Sequence, residues 1–326
     1  MVRQSWPIDA GRRVSANGGS KAVVAALGAN LGIAGIKFVA FAITGSASML
    51  AEGVHSVVDS GNQLLLLAGG RSARRQATPA HPFGYGRDRY VYGFLVALML
   101  FSGGGLFALY EGVQKIRHPH HVQSPIVAIV VLAVAICLEG FSLRTAVRES
   151  RESKGADSWV AFVRHAKSPE LPVVLLEDVA ALVGLALAFA GVGLAAATGQ
   201  QVWDGVGTAG IGVLLIAVAV VLVVETKSLL VGEAASPAQV AAIEARLIGP
   251  GVERVIHLRT LHLGPDELLV GAKLAMPAAA TLAEVATAID SAEARVRAAV
   301  PSARVIYLEP DLDRRQDVGV DAAVPD

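Results

Sequence analysis

Apolar residues gather into six stretches in the first 230 residues, at 22–43, 49–70, 91–112, 126–147, 172–197 and 207–230. Crossing a hydrocarbon core takes about 20 helical residues, and each stretch is long enough. None alternates with period two. All carry Gly and Ala freely, as helices packed within a bilayer do. The pattern predicts six transmembrane helices.

After Gly232 the pattern changes. Ser236-Pro237-Ala238-Gln239 reads as a capped helix start, with Ser at the N-cap, Pro at N1 and Gln closing a capping box. Residues 252–263 and 267–276 read as strands joined by a Gly264-Pro265-Asp266 turn. Thr281 and Glu284 open another helix, with Leu282, Val285, Ile289 and Val296 expected on one buried face. Residues 303–309 supply a third strand. The order αββαβ describes a small α+β, ferredoxin-like domain. The predicted layout is a cytoplasmic segment at 1–20, a membrane domain at 21–231, a cytoplasmic αββαβ domain at 232–312 and a disordered tail at 313–326.

Composition strengthens the membrane assignment. The chain is 53% hydrophobic and only 17% charged, too little charge to cover a soluble domain of 326 residues. A formal net charge of zero argues against a nucleic-acid partner. Cys137 is the single cysteine, so neither a disulfide framework nor a cysteine-built zinc site is available. The polar N-terminus lacks the apolar segment of a cleaved signal peptide. Arginine and lysine crowd the segments before the first stretch, between the second and third, and between the fourth and fifth. The opposite side offers Lys115 and Arg117. The positive-inside rule then places both termini in the cytoplasm.

Chemistry enters with the acids inside the apolar stretches. The second holds Glu52, His55 and Asp59, the last two one helical turn apart; the fifth holds Glu177 and Asp178. A carboxylate at mid-bilayer costs about 2.5–3.5 kcal/mol on insertion scales, which a cation held between helices would offset. At about 1.5 Å per residue, His55 and Asp59 lie roughly 9 and 15 Å from the outer end of their helix, and Asp178 about 10 Å from the inner end of its own. His55, Asp59 and Asp178 are thus candidate ligands of one ion. Glu177, rotated about 100° from Asp178, ranks behind them. An imidazole with carboxylate oxygens suits Zn²⁺; an oxygen-richer set tilts toward Mn²⁺ or Fe²⁺. Lys37 is expected to snorkel to the headgroups, and Asn30, Asn62 and Gln63 to bond between helices. Glu139 either lines the cavity or bonds Arg144 or Ser142.

The stretches TGSASMLAEGVHSVVDSGNQ, HPFGYGRDRY and ETKSLLVGE, in that order, resemble the cation diffusion facilitator family over about residues 20–312. The resemblance implies a homodimer of six-helix protomers that exchanges a divalent metal (Zn²⁺, with Mn²⁺, Fe²⁺, Co²⁺ and Cd²⁺ behind it) for protons by alternating access. The expected location is the cell membrane. His55 and Asp59 match the family's ligand pair on the second helix, and Asp178 matches its downstream Asp on the fifth. Val174 occupies the family's histidine position there, so this chain resembles the branch with a Glu-Asp pair, in which Glu177 stands in as ligand. In the loop before the third helix, where the family holds a second metal, His81 is present and Tyr85 replaces another His. The αββαβ segment resembles the family's metallochaperone-like domain, making His257, His262, Glu309 and Asp311 further candidates. No nucleotide loop is present, and Gly84-Tyr85-Gly86 reads as a tight turn. Two other classes fit less well. An intramembrane metalloenzyme lacks HExxH, and a membrane metal sensor leaves the buried acids without a purpose.

Overall fold

The computed structural model describes residues 20–44, 47–119 and 125–313. The expected N-terminal segment and tail therefore lie almost wholly outside the described residues. Helix α1 spans Ser20–Thr44 and α2 spans Ala47–Ser72. The third apolar stretch is a single rod: α3 (Asp88–Met99) passes through a π-helical segment, Leu100–Leu106, into α4 (Phe107–Arg117). Then follow α5 (Pro125–Lys154), the short α6 (Trp159–His165), α7 (Glu170–Thr198) and α8 (Val202–Val231).

Five rods among the described residues are long and apolar enough to cross a membrane: Ser20–Ile43, Asp88–Arg117, Ile129–Lys154, Glu170–Thr198 and Val202–Val231. Helix α2 matches them in length but is diluted by Glu52, His55, Ser56, Asp59, Ser60, Asn62 and Gln63. Hydrophobic periodicity did not foretell the π segment, where three consecutive glycines, Gly103 to Gly105, weaken the helical register. It did not foretell α6 either, whose N-cap Ser158 accepts from the Ala161 amide.

Two compact units emerge. One takes the chain up to Ala68 with Tyr92–Val223; the other joins Gly69–Val91 to the chain from Val224 onward. In the first, α1, α5 and α7 pack together around Ala22, Val23, Leu66, Val96, Leu171, Val174 and Leu222. Helices α4 and α8 come close enough that a Cβ on Gly112 would run into the Ala209 nitrogen, so only glycine fits there.

In the second unit, α9 (Pro237–Leu247), β1 (Arg254–Gly264), β2 (Glu267–Ala275), α10 (Leu282–Ala299) and β3 (Ala303–Asp311) follow the expected αββαβ order. The sheet order is β1-β2-β3, with β1 antiparallel and β3 parallel to β2. Both anticipated capping boxes form, Ser236 with Gln239 and Thr281 with Glu284. One expectation fails. Leu282 is 84% exposed, being the first residue of α10, and Ala288 and Ala292 fill the buried face beside Val285, Ile289 and Val296. The loop preceding α3 belongs to this unit: a Cβ on Gly86 would lie 2.8 Å from the Leu263 carbonyl oxygen, and Arg89 pairs with Asp266 at 3.8 Å.

Candidate functional site

Helix α2 has two different faces, one turned inward and one outward. At 100° per residue, Ser56, Asp59, Ser60, Asn62 and Gln63 share one side, where all but the half-buried Asp59 are buried, while Val57 and Leu64 are exposed on the other. The polar side meets α7. Asn62 Nδ2 donates to Glu177 Oε1 at 3.1 Å and Gln63 Nε2 to Glu177 Oε2 at 2.9 Å. Asn30 Nδ2 on α1 donates in turn to Gln63 Oε1 at 3.3 Å. The three amides are interhelical hydrogen-bond partners, as the sequence suggested.

Asp178, 3% exposed, accepts from Ser142 Oγ on α5 at 2.8 Å. Glu139 is buried on the same face of α5, 6% exposed, and Asp178, Asp59 and Lys37 lie within electrostatic reach of it. Glu177 likewise feels Asp59, Asp178 and Glu139. Four carboxylates from three helices therefore share one region inside the first unit. Sequence reasoning undervalued Glu139. The signal was the inward face of α5, where Val131, Ala135, Glu139, Ser142, Ala146 and Ser150 recur at helical spacing and are all buried. Ser142, one of the partners considered for Glu139, donates instead to Asp178.

Lys37 corrects the expectation of snorkelling. Its Nζ donates to Ser56 Oγ at 3.1 Å on α2. An ammonium near acids gains more by turning inward than by reaching for headgroups. Glu149, also on α5, plays a different part. Its Oε2 accepts from the Ala22 amide at 2.7 Å and so caps the start of α1.

His55 lies on α2, one turn before Asp59, but its side chain and that of Glu52 fall outside the described residues. Among the described residues no three His, Cys, Asp or Glu side chains converge into a metal cluster. Asp178 and Glu177 are instead engaged by Ser142, Asn62 and Gln63. Val174, at the family's histidine position, is completely buried in the apolar cluster.

A family model described as "Cation efflux transmembrane domain" matches residues 23–231, more than half of the chain. The chain belongs to the cation efflux family. It is similar to "Proton-coupled zinc antiporter SLC30A9, mitochondrial" of Xenopus laevis, 34% identical over 223 residues, 68% of this chain and 40% of that protein. "Metal tolerance protein C4" of Arabidopsis thaliana is 31% identical over 216 residues, 66% of this chain and 47% of that protein. "Cation-efflux pump FieF" of Cronobacter sakazakii is 30% identical over 239 residues, 72% of this chain and 73% of that protein. The chain thus spans less than half the length of the zinc antiporter and the metal tolerance protein it matches.

Several of the secondary candidates of this cation efflux protein have partners of their own. His81 stacks on Tyr85, ring centroids 4.6 Å apart, and the Arg75 guanidinium lies 4.3 Å over the same Tyr85 ring. Tyr85, standing where a ligand was anticipated, builds a cation–π stack. Glu309 and Asp311 both pair with Lys273 Nζ at 3.0 Å. Lys273 is the register partner of His257 and of Glu309, so a fixed cation sits in the middle of that row. His262 is buried, with Nδ1 3.4 Å from the Gly264 carbonyl oxygen.

Proposed function

We propose that this cation efflux protein is a secondary transporter that exchanges cytoplasmic Zn²⁺ for protons through a site formed by His55, Asp59 and Asp178, with Glu177 as an additional ligand. The observation that carries the reading is the gathering of Asp59, Glu139, Glu177 and Asp178 from α2, α5 and α7 inside a helical membrane domain. Carboxylates in such a place are tolerable when they hold a cation or protons. Ligands must shed protons to take a metal, so loading and proton release are linked, and a proton gradient then drives release on the other side. In this conformation Ser142 holds Asp178, while Asn62 and Gln63 hold Glu177; we read these as contacts that a metal ion displaces. Glu139 joins the site as a fourth acid.

The name of the Xenopus relative, a proton-coupled zinc antiporter, supports zinc and the proton counter-ion. Mn²⁺ or Fe²⁺ efflux by the same route is the second reading, favoured by the oxygen-rich donor set. A membrane metal sensor would leave the gathered acids unused, and an intramembrane metalloenzyme lacks the HExxH pattern.

Helix α2 is in this reading the sixth span. Its 26 residues reach about 39 Å at 1.5 Å each, more than a hydrocarbon core of about 30 Å. Its polar side turns toward α7 and its apolar side outward. The αββαβ unit is taken as ferredoxin-like and cytoplasmic, the protein as a homodimer in a cell membrane.

The test is Zn²⁺ uptake into proteoliposomes with an imposed pH gradient. Asp59→Ala and Asp178→Ala are each expected to reduce uptake to the level of empty vesicles, and collapsing the gradient to abolish it in the parent. Parent-level uptake by either variant would refute the site.

A further inference from the structure

Helix α5 has a second face, opposite the one that carries Glu139 and Ser142. At 100° per residue Cys137, Phe141, Arg144, Arg148 and Arg151 line it, and all five are exposed. A shallow, open groove on the surface of α5 alone is lined by Gly140, Leu143, Arg144, Val147, Arg148 and Arg151. Its chemistry is divided lengthwise. Gly140, Leu143 and Val147 form an apolar floor continuous with Phe141, which is 64% exposed on the apolar part of the helix. Arg144, Arg148 and Arg151 stand beside that floor, displaced around the helix rather than along it.

Those guanidiniums have no hydrogen bond or ion pair among the described residues. Of the two acids adjacent to them in sequence, Glu149 accepts from the Ala22 amide, and Glu152 forms no ion pair with them among the described residues. Lys115 behaves differently: it pairs with Glu111 and with Asp204, each at 3.3 Å. Depth agrees with the division. A 30-residue helix is about 45 Å long, so α5 extends well past a hydrocarbon core of about 30 Å. Soon after Arg151 comes α6, with Trp159 half-exposed, Val160 exposed and Phe162 buried, an arrangement suited to the headgroup level.

We propose that this groove is a binding site for an anionic phospholipid of the leaflet on the arginine-rich side. The phosphate pairs with Arg144, Arg148 and Arg151, and an acyl chain lies over Gly140 beside Phe141. Planar guanidiniums suit phosphate oxygens, and basic pockets at this level recognise anionic headgroups. The chain's own segment 1–19 is a poor occupant, since it carries Arg3, Arg12 and Arg13 against Asp9 alone. The inference does not depend on which metal is carried.

The experiment is native mass spectrometry of the full chain in neutral detergent, titrated separately with phosphatidylglycerol, phosphatidylcholine and inorganic phosphate. Each basic residue near a membrane surface contributes roughly five-fold, so the triple variant Arg144→Gln, Arg148→Gln, Arg151→Gln should bind phosphatidylglycerol about 100-fold more weakly. The corresponding triple Lys variant should stay within about ten-fold of the parent. Gly140→Leu leaves every charge in place and meets nothing within 4 Å of its new Cβ, so it fills the groove without disturbing the helix. It should weaken phosphatidylglycerol binding by roughly five-fold or more, the effect of losing about 1 kcal/mol of apolar contact. Phosphatidylcholine and phosphate should show no saturable binding in any form. Parent-like phosphatidylglycerol affinity in both the triple Gln variant and Gly140→Leu would overturn the proposal. Equal binding of phosphatidylcholine would reduce the site to ordinary annular lipid. Phosphate binding as tightly as the lipid would make it a soluble-anion site. Tighter lipid binding after deletion of residues 2–19 would make that segment the resident.

Discussion

Glu139 and Glu149 sit on one helix, ten residues apart, and differ in what they touch. Glu139 is buried among Asp59, Asp178 and Lys37, whereas Glu149 accepts from the amide that opens α1. Glu139→Gln should therefore lower proton-driven Zn²⁺ uptake about ten-fold, the effect of ~1.4 kcal/mol on a barrier. Glu149→Gln should weaken a charged cap, lowering thermal stability by about 1 kcal/mol while uptake per folded protein stays near the parent's. Equal transport loss in both would mean the two acids act only on stability. At this scale the sequence was legible wherever a side chain broke a pattern. Acids in apolar helices announced Asp59, Glu177 and Asp178, and amides announced α2 as a bonding helix. What it withheld was pairing. Nothing in linear order reveals that Asn62 and Gln63 both reach Glu177, that Lys37 turns inward to Ser56, or that Lys273 stands between Glu309 and Asp311. Those partners arrive from other elements.

Elements were legible in proportion to the chemistry at their ends. The two capping boxes fixed the starts of α9 and α10 because Ser236 and Thr281 offer the backbone a partner that competes with continued extension. No comparable signal marks the π segment, and α2 is too polar to read as a span by composition alone. Glu284 supplies a test of the capping argument. Hydrogen bonds from the Thr281 backbone amide, then from its hydroxyl, hold the Glu284 carboxyl below its ordinary range. A lowered carboxyl contributes stability that is present above its unfolded value and is lost as pH falls through the folded one. Thr281→Ala should cost about 1 kcal/mol at neutral pH. The difference between variant and parent should shrink as the solution is acidified below the ordinary carboxylate range. Hydrogen exchange of the α10 amides, referred to unfolded rates at each pH, measures it. A pH-independent difference would mean the Thr281 hydroxyl's bond to the carboxylate contributes nothing, since the backbone amide bond survives in the variant.

Orientation is a property of the whole molecule, and it rests on charges that no single helix explains. The loops expected on one side carry Arg71, Arg74, Arg75, Arg87, Arg89, Arg144, Arg148 and Arg151; the other side has Lys115 and Arg117. The rule counts Lys and Arg themselves, and acidic partners such as Glu111 and Asp204 beside Lys115 change it little, so the asymmetry stands on the cations alone. The chain also allows a clean measurement, since Cys137 is its single cysteine. In a Cys137→Ser background, Gln200→Cys lies in the exposed turn between α7 and α8, and Glu253→Cys lies exposed just before β1. On intact cells a membrane-impermeant thiol reagent should label the first and spare the second; on inverted membrane vesicles the order should reverse. The reverse order in both preparations would put the sheet unit outside the cytoplasm. The metal-site assignment would survive that outcome, because Asp59 and Asp178 lie within the helices whichever way the chain is inserted.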